Sequence, residues 1–385
     1  MESKKKKVLF LAFAFPDMNV SFNMYTALVD QFHKNGHQIT VLAPDENLPQ
    51  SQIKKEGEVE IIRVKTLPIK NISNIRKGIS NLLLPYQYWR ALKKIKGNES
   101  FDTVIMPTPP ITLGALAIKI KKKYNAKLYL ILRDIFPQNA VDLGFMKKGG
   151  VLYSLFRKKE INLYKYADFM GCMSPGNIAY IRKHNSFVDQ KRLHELKNWQ
   201  YLYSATNISK KDIRQKYDIE GKFTIVFGGN MGKPQQLENV VELIKRCKDL
   251  PDVLFLLLGE GVAMNKFRDQ VEAEGLRNTR ILKSIPKQEY QQLISVCDVG
   301  LISLHEDFTI PNIPSKTLDY FNVGIPVLAS IDRATDYNVI LEEANAGKWV
   351  IAGQHDSFAG KHSAALNLRD GKQSFTLATG RRQRG

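Results

Sequence analysis

Two doubly wound α/β domains in tandem are the fold class this sequence predicts, and three observations predict it. Short apolar runs of strand length alternate with segments of helical periodicity from residue 7 onward. That alternation starts afresh after residue 200. A chain of 385 residues is also too long for one ordinary core and comfortable for two. With 43% hydrophobic and 25% charged residues, the composition excludes wholesale disorder.

In the first half, Lys7–Phe15 reads as a strand, Phe22–Asn35 as a helix closed by Gly36, and Gln38–Ala43 as a strand stopped by Pro44-Asp45. Val59–Lys65, Asp102–Met106 and Lys127–Leu132 are further strands, the last two flanking the helical stretch Thr112–Lys123. Such alternation implies right-handed crossovers and a mostly parallel sheet. The second half opens with the strand Phe223–Phe227, a glycine-rich turn and the helix Leu237–Cys247. Val253–Leu258, Arg280–Leu282, Val299–Ser303 and Pro326–Ala329 follow as strands, interleaved with the helices Lys287–Val296 and Ser315–Asn322. The domains are expected at 1–198 and 199–361; residues 362–385 show no useful periodicity and read as a mobile or altered tail.

Net charge is +19 and unevenly spread. Residues 1–200 carry 33 Lys+Arg against 16 Asp+Glu, whereas residues 201–385 carry 24 against 22. The first half is therefore suited to an anionic neighbour: nucleic acid, an acidic membrane surface or a phosphorylated substrate. Plain solubility is the bland account. The longest apolar run, Val8–Phe15, is far short of the ~20 residues that span a bilayer. No signal-peptide cleavage pattern follows it, so the reading is cytoplasmic. Three dispersed cysteines make neither a disulfide framework nor a metal knuckle. No Asp-x-Asp or clustered histidines suggest a metal, and no cofactor is expected.

Ligands of open α/β sheets bind beyond the carboxyl ends of the strands. There, Pro314, Ser315, Lys316 and Thr317 open a helix whose positive end suits an anion, with Asp319 one turn deeper to accept ribose hydroxyls. An ordinary capped helix is the alternative. Gly229, Asn230, Met231, Gly232 and Lys233 follow a strand without P-loop or GxGxxG spacing, which argues against ATPase and dehydrogenase chemistry. Thr108, Pro109, Arg133 and Asp134 lie at strand ends of the first half.

Several segments together, in order, resemble the retaining family 4 glycosyltransferases of GT-B fold, over about Val8 to Val350. FHKNGHQITVLAP resembles that family's opening helix and strand, and VGIPVLA preceded by Asp319 resembles its second-acid segment. PTPPIT, RDIFPQNAVDLGFM, YKYADFMGCMSPG, GGNMGKPQQLENVVE and PSKTLDYFNVGIPV are similar to one branch, the bacterial N-acetyl-L-fucosamine transferases of capsule and O-antigen assembly. Three departures stand out: PDMNVSFN replaces the glycine-rich loop after the first strand, Arg133 replaces a histidine, and Pro311 replaces the first acid of the family's pair.

The resemblance implies two Rossmann-like domains facing a cleft. It implies a UDP-sugar in the second domain, with diphosphate at Ser315, Lys316 and the turn, Gly259 nearby, ribose at Asp319 and base near Ser284 and Ile285. Thr108, Pro109 and Arg133 would meet a polyprenyl-diphosphate-linked acceptor, with Asp134 and Glu306 as catalytic candidates. No metal is required, and the basic first domain would rest on the inner face of the bacterial cell membrane. The basic-aromatic segments 70–96 and 147–165 are the candidate contacts. A GT-B-type UDP-sugar epimerase is the alternative enzyme. A nucleic-acid-binding protein has only charge behind it, since no recognition signature is present, and nucleic acid is not expected.

Overall fold

The structure, a computed structural model, describes residues 5–69, 72–203 and 209–354. The tail 362–385 and Lys70 lie outside the described residues. The chain divides into two compact units, Met1–Tyr201 and Leu202–Gly385.

The first unit is built on eight strands: β1 (Lys7–Leu11), β2 (Gln38–Asp45), β3 (Gln52–Glu56), β4 (Val59–Lys65), β5 (Thr103–Thr108), β6 (Lys127–Leu132), β7 (Phe169–Cys172) and β8 (Leu193–Glu195). They lie in the order β3-β4-β2-β1-β5-β6-β7-β8. All neighbours pair in parallel except β3 with β4. Phe10, Val41, Ile61, Ile105 and Ile131 fill a core on the sheet. Strand β3 has no counterpart in the sequence reading, because QIKKE is an edge strand with four exposed residues in five. β1 also stops at Leu11, short of the expected Phe15, because the chain turns away there to be held by other side chains. The expected helix at 112–123 is a 3₁₀ turn, Ile111–Leu113, leading into the helix Gly114–Tyr124.

The second unit has β9 (Phe223–Asn230), β10 (Val253–Glu260), β11 (Thr279–Leu282), β12 (Val299–Ser303), β13 (Val327–Ile331) and β14 (Gly347–Ile351). Their order is β11-β10-β9-β12-β13-β14, parallel throughout. This is the 3-2-1-4-5-6 arrangement of a dinucleotide-binding sheet.

Order reverses between β1 and β5 in one sheet and between β9 and β12 in the other. A crevice opens beyond the carboxyl ends at each such point, because successive crossovers leave in opposite directions.

One buried residue ties the second unit's helix to its sheet. Tyr320, on the helix Thr317–Val323, is wholly buried. Its hydroxyl donates to the carbonyls of Val226 (3.2 Å) and Leu301 (3.3 Å) and accepts from the Gly228 amide (3.3 Å). Its ring lies where a Cβ on Gly300 would come within 2.4 Å, so glycine is required at that position of β12. Tyr320→Phe leaves these backbone groups short of a partner and is expected to destabilise the second unit by about 1–3 kcal/mol. A fall in denaturant midpoint with unchanged slope is the measurement that checks it.

Candidate nucleotide-sugar site

At the β9/β12 crevice the chain brings three sequence-distant segments together. The turn after β9 meets the loop after β12: His305 donates its amide to the Pro234 carbonyl (3.0 Å), and the Glu306 amide donates to Gln236 Oε1 (2.8 Å). Gln236 Nε2 donates in return to Glu306 Oε1 (2.8 Å). Glu306, exposed, is thus fixed beside the glycine turn. The third segment is Pro314 to Asp319. A Cβ on Gly229 would stand 3.9 Å from Lys316 Nζ, so the lysine head lies directly under the turn.

Lys316 carries the most telling geometry. Its Nζ is buried, lies 3.7 Å from the centre of the Phe227 ring, and has no hydrogen-bond partner among the described residues. Burial pushes its ammonium down to about 7, since nothing nearby compensates the lost hydration except the ring face. The helix begins at Thr317 instead of the expected Ser315, leaving Ser315 exposed and Lys316 as the residue before it. The amides of Thr317, Leu318 and Asp319 close back onto Pro314, Ser315 and Lys316, so these three are not free for an anion. Asp319 shares no partner with Lys316; its Oδ1 accepts from Lys287 Nζ at 3.2 Å.

Several expected ligand residues have packing work. Met231 is a core residue with no exposed surface, its amide bound to the Glu260 carbonyl (2.8 Å) and its carbonyl to the Ala263 amide (3.0 Å). Thr317 is buried with its hydroxyl 2.7 Å from that of Tyr337. Pro314 is buried beside them. Gly259 (φ +152°) is glycine because a Cβ would lie 1.8 Å from the Gly229 carbonyl oxygen. Gly228, just before the turn, admits the Tyr290 ring. Gly229, Asn230, Lys233 and Ser315 remain exposed at the edge, with Gly232 buried behind them. Past β11, Ser284 donates to Glu260 Oε1 (2.6 Å), and Ile285 is half-buried next to it. Lys287, Gln236, Phe227 and Glu260 escaped the sequence reading, since nothing local marks a partner 24 or more residues away.

The β1/β5 crevice of the first unit gathers the other candidates. Thr108 is buried at the end of β5, and its hydroxyl lacks a partner among the described residues, as does that of Thr112. Pro109 follows in a cis bond and Pro110 in a second. Arg133, at the end of β6, bonds Asn198 Oδ1 and lies 4.7 Å from the Trp199 ring centre. Burial lowers its guanidinium below the usual range. Asp134 is exposed in a recess whose surrounding atoms raise its carboxyl, the Arg133 charge opposing the shift. Such a carboxyl can exchange a proton more readily near neutral pH than an ordinary aspartate.

Residues 209–379 match the family model described as Glycosyl transferases group 1. Among curated proteins the chain is similar to "Probable glycosyltransferase WbjE" of Pseudomonas aeruginosa, 24% identical over 64% of this chain and 61% of that one. It is also similar to the chitobiosyldiphosphodolichol beta-mannosyltransferase of Debaryomyces hansenii, 23% identical over 70% of this chain and 62% of that one. The chain thus spans less than two thirds of the length of either relative. Among solved structures it is similar to Anabaena Alr3699/HepE, determined in complex with UDP and glucose. The TM-score is 0.69 at 13% identity, covering 95% of this chain and 91% of that one. The expected pair of Rossmann-like domains is therefore present: the chain has the GT-B fold, and its residues 209–379 are similar to the group 1 glycosyl transferases.

Proposed function

We propose that the protein is a retaining glycosyltransferase that moves a sugar from a UDP-sugar donor to a polyprenyl-diphosphate-linked saccharide in capsule or O-antigen assembly. The observation that carries this reading is Lys316: a buried ammonium without a hydrogen-bond partner among the described residues, under a glycine turn, inside the segment similar to group 1 glycosyl transferases. A diphosphate supplies the missing anion. Asp319 then takes the ribose hydroxyls, exchanging its bond to Lys287, and the base lies near Ser284 and Ile285. Gly229, Asn230 and Lys233 line the phosphate side. Thr108, Pro109 and Arg133 meet the acceptor.

In the transfer, the bond from the anomeric carbon to the β-phosphate oxygen breaks and the acceptor oxygen bonds that carbon on the same face. The acceptor's hydroxyl proton passes to the departing phosphate, so no protein nucleophile is required. Lys316 offsets the charge that develops on the leaving UDP. Glu306 and Asp134 are assigned to donor and acceptor hydroxyls, Glu306 being held ready by Gln236. The named substrate of the Debaryomyces relative, a diphosphodolichol-linked sugar, supports a lipid-linked acceptor. The fucosamine branch is supported only by the motif likeness above.

A lipid-linked acceptor calls for a membrane-facing surface, here on the cytoplasmic side of the bacterial membrane. Among the described residues no helix is long and apolar enough to cross a membrane. The helix Asn74–Lys96 instead exposes Ile79, Leu82, Leu83 and Tyr86 in its N-terminal half, and the helix Val151–Tyr166 exposes Val151, Leu152 and Leu155. Both helix starts lie at the carboxyl edge of the sheet, as antiparallel crossovers require. Other residues of these segments have inward roles. Leu84, Tyr88 and Tyr164 are core, Phe156 packs on Phe136, and Trp89 lies between Lys119 and Lys123.

Three outcomes are expected. Lys316→Met weakens UDP binding in calorimetry by roughly 100-fold yet raises the thermal midpoint at neutral pH, because an unpaired cation leaves the interior; Asp319→Asn weakens UDP binding by roughly 10- to 100-fold. Unchanged UDP affinity in both would remove the donor assignment.

The pH dependence has a definite sign. Free Lys316 titrates at about 7, and a bound diphosphate draws the proton back. UDP binding therefore takes up a proton above that pH, and affinity falls as pH rises, by up to about tenfold per unit. The slope disappears in Lys316→Met retaining residual binding at high UDP, and its persistence there would assign it to another group. Vesicle flotation tests the surface: binding to phosphatidylglycerol vesicles falls with salt and with Arg76→Glu/Lys77→Glu or Leu82→Ser/Leu83→Ser, while neutral vesicles recover little protein.

A further inference from the structure

The segment Ala12 to Asn23, between β1 and the helix Met24–Lys34, lies at the β1/β5 crevice and contains no glycine. None of its residues takes a positive φ, and its shape is held from outside. Here it is held by a buried ion pair from the hairpin β3–β4. Glu56 and Arg63, both nearly sealed from solvent, form a two-point pair, Nε to Oε1 at 2.7 Å and Nη2 to Oε2 at 2.6 Å. Arg63 also donates to the carbonyls of Phe15 (2.7 Å) and Pro16 (3.1 Å), and Glu56 accepts from the Met18 amide (3.0 Å). Two further straps complete the hold: Tyr88 donates to the Ala12 carbonyl (2.7 Å), and Asn19 accepts from the Gly57 amide (3.0 Å).

The consequence is a sorted loop. Phe15 and Met18 enter the core, while Val20 keeps 83% and Phe22 48% of its surface exposed. Fold stability alone needs neither residue outward, and a buried ion pair contributes little net stability over apolar residues of similar size. What such a pair does supply is one defined geometry. The loop leads straight into Met24, whose Sδ accepts from Arg133 Nη2 (3.3 Å), so the loop's end meets the acceptor candidates after β6. An apolar surface next to the Arg133 guanidinium and the exposed Asp134 carboxyl matches the two sides of a pyranose ring.

We propose that Glu56 and Arg63 are positioning residues for the acceptor, fixing the loop so that Val20 and Phe22 form the apolar lip on which the acceptor sugar packs. This rests on the transferase reading above. It adds residues from an edge hairpin that touch no substrate and act through the loop.

The test uses the full chain, a UDP-N-acetylhexosamine that the wild type turns over, and a short-chain polyprenyl-diphosphate N-acetylglucosamine as acceptor. In Val20→Ser/Phe22→Ser, surface changes that lose the edge contact of Phe22 with Tyr201 and no buried core, acceptor KM rises by about tenfold while UDP affinity stays within about twofold. Arg63→Met gives the same split and speeds amide exchange of residues 15–22; Arg63→Lys, which keeps one arm of the pair, falls between. Unchanged acceptor KM in the surface pair overturns the proposal. So does a parallel loss of UDP binding in Arg63→Met, which would mark a purely structural role. A wild type that binds UDP but glycosylates no lipid-linked acceptor overturns the acceptor reading itself, a different result from either.

Discussion

Everything described at the two crevices depends on one constraint: with every crossover right-handed, each sheet grows outward to one side and then to the other, so its direction reverses between two central strands. The reversal leaves a gap over which no helix passes, and every loop ending there converges on it. In the second unit this convergence unites the turn after β9, the loop after β12 and the segment before Thr317. In the first it unites the loop after β1 with the ends of β5 and β6. Chain segments far apart in sequence become neighbours there, and the hydrogen bonds between them follow from that placement.

Legibility in the sequence follows from how local each signal is. Strands such as β4, β6 and β12 could be read to the residue, because an apolar run bounded by turn residues carries its own evidence. β3 could not, since an exposed edge strand of lysines and glutamate has the composition of a loop. Among site residues, Lys316 and Asp319 were visible from their place at a helix start after a proline. Their true surroundings were not: Phe227 under one and Lys287 beside the other come from different crossovers. Glycines were the opposite case. Gly229, Gly232 and Gly259 were read as ligand contacts, whereas Gly259 makes room for the Gly229 backbone, and Gly228 and Gly300, not among them, make room for Tyr290 and Tyr320. A missing Cβ shows that something approaches closely, and sequence alone does not say whether that is a ligand or the protein's own chain.

Charge illustrates the same limit at larger scale. The excess of Lys+Arg in residues 1–200 is plain from counting. Its division is structural. Some of these cations are consumed internally, Arg63 by Glu56 and backbone carbonyls, Lys121 and Lys127 by Asp168, Lys119 by the Trp89 ring. Counting therefore overstates the field presented to an anionic partner.

The backbone contact between Gly259 and Gly229 has a consequence for binding. β9 and β10 stay paired out to Asn230 and Glu260, past the point where most strands part to make room for a loop. Beyond them, Met231 and Gly261 meet just as closely. The turn is thereby a stiff plate, and little conformational entropy remains for it to lose when an anion arrives. Adaptation to different nucleotide sugars, through drift or engineering, must then proceed through side chains set around the plate. Reshaping the plate itself would first require unzipping two strands of the central sheet.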